Sequence, residues 1–213
     1  MNKSGKEKMI HKKAYTNAPL HELLASRWSP RAFDPKKQVS REQIISLCEA
    51  ARWAPSSMND QPWRYMVWDR FHDEENWKKA FNSLVAWNRG WVKNAPVLMA
   101  ALRRNYFKEN SKPNKHCEYD TGAASQNVCL QATAMGLMAH QMAGFKADIL
   151  KEAFNIPEEW KPMAMIAVGY QTDESILDKD YLEDEKAERV REPIGVSFFD
   201  SEWEKPIIED IAD

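Results

Sequence analysis

The strongest constraint on the fold is the segment Thr121–Met138, which predicts the longest helix of the chain. Its apolar residues run nearly all the way round the helix; they are Ala123, Val128, Leu130, Ala132, Ala134, Met135 and Leu137. A helix that is apolar on every side is buried, often with a subunit interface on one face. The segment therefore predicts a buried helix, and a second subunit is one of the surfaces that would cover it.

Short apolar runs predict strands between the helices. Pro96–Leu102 and Met163–Tyr170 are typical of buried strands. Trp63–Trp68 also predicts a strand, in which Trp63, Tyr65 and Val67 alternate with Arg64, Met66 and Trp68. Further helices are predicted at Pro19–Ser26, after the capping box of Ser40 and Gln43, at Asp73–Leu84 and at Ala147–Phe154. Ile194–Phe199 predicts a late strand that joins a sheet elsewhere, and residues 104–117 and 172–188 predict solvated segments. Strands separated by helices indicate an α/β or α+β fold.

Composition and charge exclude several classes of protein. Thirty lysines and arginines against 32 aspartates and glutamates give a net charge of −2, which argues against a dedicated nucleic-acid binder. Three cysteines, none spaced C-x-x-C, argue against a disulfide framework or cysteine zinc site and favour a reducing cytoplasm. No glycine-rich nucleotide fingerprint occurs, and no apolar run reaches the ~20 residues that span a bilayer. We therefore expect a cytoplasmic protein with no metal centre, membrane or nucleic-acid partner.

Two polar clusters lie on proline-bounded loops. The loop Arg27–Arg31 brings two guanidiniums and a hydroxyl together, a set that suits a phosphate. The loop Pro55–Trp63 offers neutral donors and acceptors for a polyhydroxyl chain or heterocycle edge, from Ser56, Ser57, Asn59 and Gln61. Taken alone, each cluster is better explained by a solvated loop or by a turn whose side chains satisfy their own backbone.

Two further segments carry weaker signals. Gly136–Phe145 follows the predicted long helix, and Gly144 would let the backbone approach a ligand, although a helix cap with a turn explains the same residues. His140 by itself favours a hydrogen-bonded buried histidine over a ligand, because no other metal-binding side chain stands at suitable spacing. The segment Arg189–Pro193 contains two arginines, which alone indicate plain surface charge.

Together and in this order, the four clusters resemble the FMN-dependent nitroreductase family. The resemblance rests on R-x-S-x-R, P-S-S-x-N-x-Q-P-W, G-L-x-x-x-x-x-x-G-F after the long helix, and R-x-P near the end. It implies an α+β fold, a three-layer α/β/α sandwich with a central, mostly antiparallel sheet, in an intertwined homodimer. It also implies a polar leader over 1–18, an FMN-binding domain over 19–192 and an arm over 193–213 that extends to the partner subunit.

The resemblance implies a set of FMN-binding residues: Arg27, Trp28, Ser29, Arg31, Ser56, Ser57, Met58, Asn59, Gln61, Met142, Ala143, Gly144 and Arg191. Arg27, Ser29 and Arg191 would hold the phosphate and ribityl end, with Arg189 a weaker candidate. The loop carrying Ser56 to Asn59 would come from the partner subunit. Arg31 and Gly144 are the implied catalytic positions, at the flavin N1/O2 edge and beside N5, and no protein nucleophile is expected.

The resemblance further implies an NAD(P)H-dependent oxidoreductase with tightly bound FMN. Hydride would pass from NAD(P)H through flavin N5 to a nitroaromatic, quinone or similar electron-poor acceptor, with ping-pong kinetics. Arg31 would stabilise the negative charge of the reduced flavin. Ala143 stands where some family members carry Glu, so no carboxylate role is assigned there. Residues 82–118 match the family poorly and are predicted to form an aromatic lid with Trp87, Trp91, Tyr106 and Phe107.

Three other functions stay open at this point. The same scaffold supports reductive dehalogenation, enal or semialdehyde reduction, and flavin fragmentation. A flavin-binding module without turnover would bind FMN and not be reduced by NAD(P)H. A protein that uses its nine tryptophans for partner contacts would be colourless.

Overall fold

The computed structural model describes residues 9–208 and centres on an antiparallel four-stranded sheet of order β1-β2-β4-β3. The strands are β1 (Trp63–Asp69), β2 (Val97–Arg104), β3 (Met138–Met142) and β4 (Trp160–Gly169). The apolar runs of β2 and β4 lie at the centre and are buried on both faces. The three strands predicted from these runs and from the alternation in β1 are confirmed.

Helices cover both faces of the sheet. They are α1 (Glu22–Ser26), α2 (Arg41–Arg52), α3 (Glu74–Asn82), α4 (Ala86–Val92), α5 (Cys117–Ala134), α6 (Ala147–Phe154), α7 (Lys179–Lys186) and α8 (Ile194–Ser197). Along β2, Val97 and Met99 join a core with α2 and α5, while Leu98 and Ala100 join a second core with α3, α4, α6 and α7. The alternation of a strand thus feeds two cores, and the predicted three-layer α/β/α sandwich is confirmed.

The long predicted helix is α5, displaced toward the N-terminus from its predicted bounds. It runs from Cys117, and Gly136 just beyond its end adopts a φ of +70°, a conformation that glycine tolerates. The chain then enters β3, an edge strand in a segment predicted to be only a cap and turn. Five residues that pair on one side carry too short an apolar pattern to indicate a strand.

The capping box predicted at the start of α2 is present. The Gln43 N–H donates to Ser40 Oγ at 3.2 Å, and the Ser40 N–H donates to Gln43 Oε1 at 3.0 Å. Two free N–H groups at the helix start are thereby satisfied, which fixes where the loop after Arg31 enters the helix.

The C-terminal region departs from prediction. The acidic segment 172–188 contains α7, whose Tyr181 and Glu185 are buried. The strand predicted at Ile194–Phe199 is wrong: α8 lies there, and the Phe198 N–H donates to Ile194 O at 3.0 Å. A strand requires a neighbouring edge, and within residues 9–208 this segment meets only an isolated bridge between Phe199 and Pro206. The outer parts of the predicted leader and arm, 1–8 and 209–213, lie outside the described residues.

Candidate functional site

Four cationic residues line an open cavity of about 410 Å³ beside the Arg27–Arg31 loop, together with the acidic residues Asp184 and Glu188; the four are Lys12, Arg27, Arg189 and Arg191. Ser29 lines the same cavity, and Arg27 Nη1 lies 3.5 Å from Ser29 Oγ. Burial lowers the pKa of Arg189, and the positive charges of Arg27 and Arg191 lower it further. The structure therefore brings together the residues predicted to hold a phosphate, although they come from distant parts of the sequence.

Segments far apart in the sequence build this cavity. Arg189 Nη1 donates to the carbonyls of Lys12 and Ala25 at 2.6 and 2.7 Å, and Lys12 Nζ donates to Ala187 O at 2.6 Å. The Lys12 ammonium also lies 4.7 Å from the centre of the Trp28 ring. Sequence analysis missed Lys12, because a single lysine in a polar leader carries no local signal.

Arg31 is held by two neighbouring carboxylates of α7. Its guanidinium lies 3.0 Å from Asp184, and its backbone N–H donates to Glu185 Oε2 at 2.8 Å. The Glu185 side chain is fully buried, and burial raises its pKa, while the N–H bonds and the Arg31 charge act in the opposite direction. Within residues 9–208, the buried Nε of Arg31 has no hydrogen-bond partner. This leaves one N–H available to an acceptor supplied by a ligand.

His140 on β3 contacts the same loop. Its Nδ1 lies 3.0 Å from the Pro30 carbonyl, and its ring packs 4.5 Å from the Trp91 ring centre. Burial is the main cause that lowers the pKa of His140 to about 4. The imidazole is therefore neutral near pH 7, and its Nδ1–H donates to Pro30, as predicted, although the residue is half-buried where full burial was expected.

Gly144 packs against the start of α4. Its carbonyl accepts from the Val85 N–H and from Asn88 Nδ2, each at 3.0 Å. Met142 before it is buried at the end of β3, and Ala143 is exposed. The glycine predicted for close approach of a ligand is thus also required by packing within the chain.

Residues 58–61 of the Ser56–Gln61 loop line a second cavity, of about 420 Å³, together with Phe107 and Lys108, whereas Ser56 and Ser57 do not line it. The two cavities have no lining residue in common. Met58, Asn59 and Gln61 all have positive φ angles, of 54°, 54° and 50°. Backbone strain of this kind persists only where the surroundings enforce it, and it gathers at functional sites.

Buried carboxylates hold this second loop in place. Asp120 on α5, which sequence analysis missed, accepts from the Ser57 N–H at 3.0 Å. Asp60 accepts from the Lys108 N–H at 2.7 Å and from Asn114 Nδ2 at 3.1 Å. The strained loop and the 104–114 segment are thereby fixed to one another.

The predicted aromatic lid is wrong for Trp91, which is 1% exposed and packs in the core against Phe33. Trp87 and Tyr106 are each 49% exposed, and Trp87 packs against Tyr181. Of the four aromatic residues, Phe107 alone lines the second cavity.

None of the helices in the described part of the chain is long and apolar enough to cross a membrane.

The chain is similar in sequence and structure to several known proteins. The model of the nitroreductase family matches residues 24–170. A solved oxidoreductase containing FMN is 34% identical, covers 95% of this chain and 98% of its own, and superposes with a TM-score of 0.81. The iodotyrosine deiodinase of Thermotoga neapolitana is 25% identical over 72% of this chain and 89% of its own length. The oxygen-insensitive NAD(P)H nitroreductase of Salmonella typhimurium is 22% identical over 68% and 86%.

Proposed function

This chain belongs to the nitroreductase family, and from that premise we propose that it reduces an electron-poor acceptor, such as a nitroaromatic or a quinone, by ping-pong kinetics. It is an NAD(P)H-dependent oxidoreductase with FMN as its cofactor. When bound, FMN would supply the redox chemistry, accepting a hydride from NAD(P)H and passing reducing equivalents to the acceptor. The observation that carries the proposal is the cationic cavity beside Arg31, whose Nε–H has no hydrogen-bond partner among the described residues.

The residues present fit both ends of FMN. A phosphate dianion needs charge-assisted donors, which Arg27, Arg191 and Lys12 supply around the first cavity, with Ser29 adding a hydroxyl. The N1/O2 edge of a flavin accepts hydrogen bonds, and the Arg31 Nε–H is a donor without a partner in the part of the chain that the structure describes. Arg31 would then stabilise negative charge at that edge, which would favour hydride acceptance.

We propose that two copies of the chain complete each site. The Ser56–Gln61 loop lies at a cavity of its own, apart from the cationic cavity of the same chain. Around that loop three large side chains are bare: Trp53 is 75%, Met58 79% and Tyr119 81% exposed. A cluster of exposed apolar groups favours a protein contact. In a homodimer, the loop of one copy would meet Arg31 and Gly144 of the other, and the arm after residue 193 would reach across.

The experiment that tests this function is an anaerobic titration of the purified yellow protein with NADPH or NADH. We expect the visible flavin bands to bleach and then return on addition of one equivalent of a quinone or nitroaromatic. A halogenated phenol belongs in the same screen because one relative is an iodotyrosine deiodinase. Parallel double-reciprocal plots would support the ping-pong order, and intersecting plots would contradict it.

Two results would overturn the proposed turnover. Bands that neither pyridine nucleotide bleaches would indicate a flavin-binding module. A chain that stays colourless after incubation with FMN would favour a role in partner contacts.

A further inference from the structure

Helix α7 lies beyond the segment that the family model matches, yet it contacts the Arg27–Arg31 loop. Its acids differ sharply in environment: Asp180 and Glu183 are exposed, whereas Glu185 is fully buried. A buried carboxylate is costly unless hydrogen bonds satisfy it. The contacts of Glu185 therefore indicate what its burial achieves.

The two carboxylate oxygens of Glu185 accept hydrogen bonds from two consecutive backbone N–H groups, at the end of the Arg27–Arg31 loop. Oε2 accepts from Arg31 at 2.8 Å, and Oε1 accepts from Ala32 at 3.3 Å. The neighbouring Asp184 lies 3.0 Å from the Arg31 guanidinium. One turn of α7 thus holds both the backbone and the side chain of Arg31.

Helix α7 is itself anchored to α4. The Tyr181 hydroxyl donates to Trp87 O at 2.9 Å, and it occupies the space that a Cβ on Gly90 would need. Asn88 on α4 binds the Gly144 carbonyl. Through these contacts the two proposed catalytic positions, Arg31 and Gly144, share one rigid support.

We propose that Glu185 is a positioning residue for the flavin site. By holding the Arg31 and Ala32 N–H groups, it sets where the Arg31 guanidinium and the phosphate donors of the same loop stand. The inference rests on the proposed FMN site, and it adds a residue to that site from outside the family-matched segment. Supporting groups of this kind are required to keep a binding residue within a fraction of an ångström of its working position.

The test compares Glu185→Gln, Glu185→Asp and the matched control Glu183→Gln, which removes the same charge from the exposed side of α7. Two quantities are measured for each folded protein: the FMN dissociation constant, by flavin fluorescence quenching, and the midpoint potential of bound FMN. Glu185→Gln turns one acceptor into a donor against the Ala32 N–H, and Glu185→Asp keeps the charge but withdraws it by one methylene. We expect both to weaken FMN binding about tenfold or more and to lower the potential. The control should match the wild type.

The outcomes separate the possible roles of Glu185. Unchanged affinity and potential in both variants would overturn the inference, because a residue that only stabilises the fold would move the melting temperature alone. A raised potential in Glu185→Gln with a wild-type value in Glu185→Asp would show that its charge acts directly, and would also overturn it. If Arg27→Ala binds FMN as tightly as the wild type, the proposed site itself fails. A weakened Arg27→Ala with unchanged Glu185 variants would refute the positioning role alone.

Discussion

The Asn88 side chain occupies the space that a Cβ on Gly144 would need, with its Nδ2 2.5 Å from that position. The same nitrogen donates to the Gly144 carbonyl at 3.0 Å. The end of β3 is therefore joined to α4 by a contact that glycine alone permits. Gly144 is also a proposed catalytic position beside the flavin. The absence of a Cβ at this residue therefore matters both for packing within the chain and for the shape of the proposed site.

Replacing Gly144 by Ala should destabilise the protein by about 1–3 kcal/mol, since the new methyl must displace Asn88 or the β3 terminus. Urea unfolding of the apo-protein measures this loss. The variant Asn88→Ala, combined with Gly144→Ala, provides the control, because it removes the obstructing amide. The Gly144→Ala penalty should be smaller in that background, and an equal penalty in both would contradict the packing explanation.

Replacing Arg27 by Ala should weaken FMN binding by about 1.5–3 kcal/mol, or roughly ten- to a hundredfold in the dissociation constant. The reason is that a phosphate would lose a charge-assisted donor in the cationic cavity. Fluorescence titration of the apo-protein gives the constant. Lys78→Ala is the matched control, because that lysine is exposed and pairs with Glu74 on its own helix. Equal affinity in the two variants would remove Arg27 from the site.

The sequence predicted those parts of the fold whose signal is local. β1, β2 and β4 were found because alternation or a continuous apolar run marks a strand, and α2 because Ser40 and Gln43 form its cap. β3 was missed because an edge strand of five residues has almost no pattern. Helix α7 was missed because 172–188 is polar overall and was predicted to be solvated. Only two of its residues, Tyr181 and Glu185, are buried.

The candidate site shows the same division. The family resemblance implied that Arg27, Ser29 and Arg191 form one group, and they line one cavity. Lys12 and Glu185 were not predicted, because each acts only after distant segments fold against the Arg27–Arg31 loop. The prediction of a lid residue at Trp91 was wrong because an aromatic side chain suits a core as well as a pocket, and the sequence does not distinguish the two.

Replacing Arg31 by Ala should lower the midpoint potential of bound FMN, with a smaller effect on FMN affinity than Arg27→Ala. In the wild type the guanidinium would stabilise the negative charge of the reduced cofactor at its N1/O2 edge, and Arg31→Ala would remove that stabilisation. Potentiometric titration against a reference dye measures the change. Arg31→Lys keeps the charge and should fall between the wild type and Arg31→Ala. A potential that does not move in Arg31→Ala would refute this role.

Acidification should destabilise the protein through His140. Its pKa in the folded state is about 4, below the ordinary value of 6.5, so the unfolded chain takes up a proton first as the pH falls. The stability held above pH 6.5 is then lost progressively toward pH 4, by up to about 3 kcal/mol. Carboxylates elsewhere in the chain also titrate in this pH window. The quantity to measure is therefore the difference in the free energy of unfolding between the wild type and a variant that lacks the imidazole.

His140→Asn provides that comparison, because its amide can still donate to the Pro30 carbonyl but does not titrate. The wild type should be the more stable protein at pH 7, since the asparagine gives up the contact with the Trp91 ring. Its advantage in the free energy of unfolding by urea should shrink steadily as the pH is lowered to 4. An advantage that stays constant across this range would contradict the prediction, because it would mean that folding does not lower the pKa of His140.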